Sequence, residues 1–87
     1  LLTNFDEVAQ AHALTILGKL REKNIPSEIY PESAKLKKQM TYADKKSIPY
    51  VLMIGSREIE TGIYSLKNMN SGDQKEVSID QLLDELS

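Results

Sequence analysis

With 87 residues, 40% of them hydrophobic, the chain is long enough for one small domain that closes a core without staples. It has no cysteine, which excludes disulfides and thiolate metal sites, and its lone histidine, His12, argues against a zinc site or a histidine-dependent triad. A net charge of −2 and a pI of 5.3 argue against diffuse polyanion binding, and no apolar run approaches the roughly 20 residues of a membrane span.

No signal peptide is visible, and the opening Leu1-Leu2-Thr3-Asn4 without an initiator methionine suggests a fragment of something longer. Leu1 to Phe5 reads as the end of a strand. Asp6 is a candidate N-cap, with Glu7 near the positive end of the helix dipole. From there Val8, Ala11, Leu14, Leu17 and Leu20 recur at helical spacing, and Ala9, Ala13 and Ile16 widen the stripe into a core-facing helix. His12 reads as a surface residue of that helix. It ends near Lys23-Asn24, where asparagine tolerates the left-handed conformation. Ile25 to Tyr30 reads as a short strand stopped by Pro31.

Positive charge concentrates next. Between Lys35 and Tyr50, Lys35, Lys37, Lys38, Lys45 and Lys46 against Asp44 give +4, leaving −6 on the remainder. A cation island on an acidic body points to a local anionic partner, nucleic acid being the commonest. On a helix, Leu36, Met40, Ala43 and Ser47 share a buried seam, while Lys37, Lys38 and Thr41 form a polar flank beside it. Lys35, Tyr42 and Lys45 fall further round, toward solvent. Lysines on a surface helix also serve solubility, so the flank alone leaves both readings open.

Ile48 to Ile54 is almost wholly apolar, as suits a central strand. Arg57 to Thr61 and Ile63 to Asn68 then read as two strands around Thr61-Gly62, with Glu58 facing Ser65. Glu58, Glu60, Ser65 and Lys67 would share a polar sheet face, and Ile59, Tyr64 and Leu66 the other. Those carboxylates are either groups that read base donors or half of a cross-strand salt bridge with Lys67. Asn70 to Asp73 is a turn cluster. Ser78 is an N-cap for a closing helix burying Ile79, Leu82, Leu83 and Leu86. The order β-α-β-α-β-β-β-α predicts an α/β domain with a mixed five-stranded sheet and helices on both faces.

Catalytic signals are sparse. Gly18, Gly55, Gly62 and Gly72 are scattered rather than gathered into a phosphate-binding loop, and Asp84-Glu85 reads as a solvated helix face. Among the tyrosines, Tyr30 beside Pro31 is the candidate for stacking on an unpaired base, while Tyr50 and Tyr64 read as core.

The segments Leu20-Arg21-Glu22-Lys23-Asn24-Ile25, Lys35-Leu36-Lys37-Lys38-Gln39 with Tyr42-Ala43-Asp44, Ile48-Pro49-Tyr50-Val51 and Leu66-Lys67-Asn68-Met69 together closely resemble the C-terminal anticodon-binding domain of histidyl-tRNA synthetases. The resemblance spans nearly the whole chain, residues 1–87 as a single domain. It implies a non-catalytic tRNA-binding module of a cytoplasmic, homodimeric ligase that charges tRNA(His) with histidine, using ATP and Mg held in a separate catalytic domain. No cofactor is expected in the domain itself. By alignment with related domains it implies anticodon contacts at Ser33, Thr41, Glu58 and Lys67, with Lys37 and Lys38 supplying charge. A synthetase-like protein- or RNA-interaction module of a regulatory or accessory protein is the alternative.

Overall fold

The computed structural model describes residues 1–86. Its elements are α1 (Glu7–Glu22), α2 (Leu36–Lys45), β1 (Tyr50–Met53), α3 (Ser56–Thr61), β2 (Tyr64–Asn68), β3 (Gln74–Val77) and α4 (Ile79–Leu86). The sheet is antiparallel and three-stranded in the order β1-β2-β3, with Val51 opposite Lys67 and Ser65 opposite Glu76.

This corrects the expected five-stranded mixed sheet. The two N-terminal segments read as strands are reduced to isolated parallel bridges, Leu2 with Ile29 and Leu2 with Leu52. Side chains take over where a longer ladder would run. Ile54 N–H donates to Thr3 Oγ1 at 2.8 Å; Asn4 N–H donates to Gln39 Oε1 at 2.8 Å, and Gln39 Nε2 returns a bond to Asn4 O at 3.0 Å. Proline at positions 26 and 31 removes N–H donors on either side of Ile29, which shortens the second segment further.

The predicted strand at Arg57 to Thr61 is instead helix α3. Gly55 is its N-cap, and Gly62 closes it in the left-handed region at φ 73°, donating its N–H to Glu58 O at 2.8 Å. A short apolar-polar alternation over residues rich in Arg and Glu fits one helical turn as well as a strand. The missing strand lies downstream at β3, three of whose four residues are exposed, so it carried no apolar alternation to find. It is reached through a turn in which Gly72, at φ 79°, donates to Asn68 O.

Several local expectations stand. Asp6 caps α1 by accepting from Ala9 N–H at 2.7 Å, and Asn24 adopts φ 59°. Ser78 and Gln81 exchange side chain-to-backbone hydrogen bonds at the start of α4, as in a capping box.

The core divides by sheet face. Ala13, Ile16, Leu17 and Leu20 of α1 and Leu82 of α4 pack with Leu52, Tyr64, Leu66 and Val77. On the opposite face Val51 packs with Leu1, Tyr30 and Ala43 of α2. Strand alternation therefore places Met53, Ser65, Lys67, Gln74 and Glu76 on the α2 side, where the sheet is largely polar. Val8 and Leu14, read as core, are exposed at 69% and 55%: the buried stripe of α1 runs through Ala9, Ala13, Ile16, Leu17 and Leu20. His12, read as surface, is half-buried and hydrogen-bonded through Nε2 to the hydroxyl of Tyr64.

Candidate nucleic-acid interface

Helix α2 carries its charge against its own dipole. The N-cap is Lys35, whose side chain makes no capping bond, and the first turn contains no acidic residue while holding Lys37 and Lys38. Cations at a helix N-terminus are unfavourable by tenths of a kcal/mol each. An anion docked there would find exposed backbone donors, the dipole and the lysines acting together. The helix is held in place by Ala43 and by Gln39, which is fully buried and also donates to Ala34 O at 2.8 Å. Gln39 rather than Leu36 fills the seam; Leu36 and Ser47 are exposed and Met40 is half-buried.

The outward flank of α2 borders an open groove of about 510 Å³ lined by Tyr30, Lys35, Lys37, Lys38, Thr41, Tyr42 and Lys45. Lys35 and Lys45, assigned to solvent on helical spacing, therefore join the flank that Lys37, Lys38 and Thr41 were expected to form. Lys37 is exposed and makes no ion pair among the described residues. Lys38 Nζ lies 2.8 Å from Glu32 Oε1; this bond raises the lysine pKa and lowers that of Glu32, with both groups still in water. The Thr41 hydroxyl donates to Lys37 O at 2.9 Å, leaving its oxygen lone pairs for a ligand.

Tyr30 is only 6% exposed and meets Tyr42 edge-on, ring centroids 5.2 Å apart. That geometry leaves Tyr42, half-buried above it, as the more accessible ring. Burial and the charge of Glu28, whose Oε2 accepts from the Tyr42 hydroxyl at 3.4 Å, raise the Tyr42 pKa.

The remaining expected residues sit elsewhere. Ser33 is exposed in the segment leading to α2, and Lys67 is half-buried on the polar sheet face. Glu58 does not share a strand face with Lys67, because it belongs to α3. A Cβ built on Gly55 would sit 3.5 Å from Glu58 Oε1, so this carboxylate folds back over the first turn of its own helix. It nonetheless lines a hollow with Arg57, Thr61, Ile63, Ser65 and Glu76. Arg57 and Glu76 had no signal in the sequence, since both depend on assigning α3 and β3 correctly. Among the described residues no group of three His, Cys, Asp or Glu is placed to hold a metal, and no helix is long and apolar enough to cross a membrane.

Residues 2–87 match the anticodon binding domain family. The histidine–tRNA ligase of Cytophaga hutchinsonii is 46% identical over 86 residues, covering 99% of this chain and 19% of that protein; that of Bacteroides fragilis is 44% identical over 87 residues, again 19% of its length. Among solved structures, histidyl-tRNA synthetase from Nostoc sp. PCC 7120 superposes with a TM-score of 0.91 at 30% identity, over 97% of this chain and 20% of that one. The RNA binding domain of threonyl-tRNA synthetase from Cryptosporidium parvum shares the fold, with a TM-score of 0.90 at 17% identity, over 98% of this chain and 22% of that one. The chain thus spans about a fifth of the length of the curated relatives it matches. On the match across nearly all its residues, the chain belongs to the anticodon-binding-domain family, and the curated relatives named above are histidine–tRNA ligases.

Proposed function

We propose that the chain is the anticodon-recognition module of a cytoplasmic, homodimeric histidine–tRNA ligase, whose separate catalytic domain uses ATP and Mg to activate histidine for transfer to tRNA(His). The observation that carries this reading is the cationic first turn of α2 opening onto a groove lined by its lysines with Thr41, Tyr30 and Tyr42. The lysines hold phosphates, and the sheet face meets the edges of splayed bases. Binding energy gained so far from the reacting centre raises the specificity of the whole ligase.

Docking through a few lysines makes affinity for a tRNA(His) anticodon stem-loop modest and salt-dependent. The double reversal Lys37→Glu, Lys38→Glu should weaken binding of every stem-loop and flatten the salt dependence. Fluorescence anisotropy at several salt concentrations reads both. An affinity indifferent to salt and to the reversals would remove the α2 flank as the docking surface.

A further inference from the structure

We infer that Glu32 is an internal stand-in for phosphate on Lys38, so that RNA docks at the head of α2 by exchanging this carboxylate for a backbone phosphate. This rests on the RNA-binding reading above and deepens it, adding an acidic residue that sets how tightly the site holds its ligand.

Glu32 Oε1 lies 2.8 Å from Lys38 Nζ, and Lys38 lines the α2 groove beside Lys37 and Thr41. The segment carrying Glu32 is pinned at both ends by one residue. Asn4 Nδ2 donates to Tyr30 O at 3.1 Å, and Ala34 N–H donates to Asn4 O at 3.2 Å. Asn4 is itself 1% exposed and hydrogen-bonded to Gln39 of α2. Positions 31–33 alone lie between these ties, and Pro31 fixes its own φ. The carboxylate is therefore presented to the first turn of α2 from a short, anchored loop, and little chain entropy is lost in bringing it there.

The helix has a place for such an anion. With no side-chain cap and no acidic residue in its first turn, α2 leaves its positive end without a carboxylate of its own, and Glu32 supplies one from outside the helix. The bond lowers the pKa of Glu32 and raises that of Lys38, so both stay charged at neutral pH. A carboxylate and a phosphate make the same demand on an ammonium group, a short charge-assisted N–H···O bond. Two anions crowded onto one ammonium repel each other, so a phosphate arriving at Lys38 displaces the carboxylate. Exposure keeps that exchange easy: the two side chains are 61% and 62% exposed, and water screens the pair. Lys37, which makes no ion pair among the described residues, meets phosphate directly. Of two neighbouring lysines, one is open and one is guarded. The guard holds affinity below what the cations alone would give, which favours release of the RNA.

The test measures binding of the tRNA(His) anticodon stem-loop by fluorescence anisotropy across a range of salt. The proteins are the wild type, Glu32→Gln, Lys38→Gln, the double variant, and Glu22→Gln, which removes an exposed acid of α1 and makes the same change in net charge. Glu32→Gln should tighten binding by about threefold at low salt, the scale of one exposed ion pair, and the gain should shrink as salt rises. In the Lys38→Gln background the gain should vanish, and Glu22→Gln should show none. Melting temperatures of Glu32→Gln and wild type should agree, since both partners of the pair are exposed. Salt-dependent binding by the wild type that Glu32→Gln leaves unchanged overturns the exchange alone. So does a gain that persists without Lys38, or one that Glu22→Gln reproduces. No binding of the stem-loop by the wild type overturns the RNA reading and the exchange with it.

Discussion

Gln39 does the work of a peptide group. Its amide accepts from Asn4 N–H and donates to Asn4 O and Ala34 O, inside a region where Asn4 is 1% and Gln39 0% exposed. Gln39→Leu conserves approximate volume and apolar contact but strands Asn4 N–H, at about 1–3 kcal/mol, while Asn4 O keeps the Ala34 N–H at 3.2 Å. The expected loss of stability is therefore about 1–3 kcal/mol, measured by urea denaturation. A loss below about 0.5 kcal/mol would mean that water or a shifted chain replaces the side chain. Among the described residues Asn4 Oδ1 has no hydrogen-bond partner, whereas Asn4 O has two donors, so the N–H is the group that depends on Gln39.

At the scale of the element, α2 is a helix whose start is poorly made for stability. Lys35 provides no side-chain cap, and Lys37 and Lys38 oppose the dipole. Lys35→Asp supplies a capping carboxylate and should stabilise the domain by about 0.5–2 kcal/mol. It also removes a cation from the groove, so RNA affinity should fall as the melting temperature rises. Calorimetry and anisotropy on the same preparation test the pair of effects. If affinity holds while stability rises, the first turn is not part of the interface. Local sequence that disagrees with its own helix is expected where function overrides stability.

For the whole molecule, the two core clusters divide the sheet between a heavily buried side under α1 and α4 and a sparsely covered side under α2. Polar groups collect on the second side because the first is filled. With ATP and histidine bound by a separate catalytic domain, as proposed, the purified chain should show no histidine-dependent exchange of pyrophosphate into ATP. Exchange above background in a preparation freed of host synthetase would overturn the division between a recognition module and a separate catalytic domain.

The caps at Asp6, Asn24 and Ser78, the helical period of α1 and the apolar run of β1 were legible because each depends on neighbours in sequence. So was the grouping of Lys37, Lys38 and Thr41 on one flank of α2, though not that of Lys35, Tyr42 and Lys45 with them, and so were the residue runs that carry the family resemblance. Tertiary structure decided the rest. The side chains of Thr3 and Gln39 end the N-terminal pairing after one bridge on each side of Leu2, across separations of 51 and 35 residues that no local pattern encodes. Val8 and Leu14 face water because the sheet meets α1 along its Ala9–Ala13–Ile16–Leu20 stripe, a choice between two apolar faces that only packing makes. Glu58 and Glu76 come together because a helix and an exposed strand, both too short to carry a distinctive period, are fixed by Gly62, Gly72 and the ladder to β2.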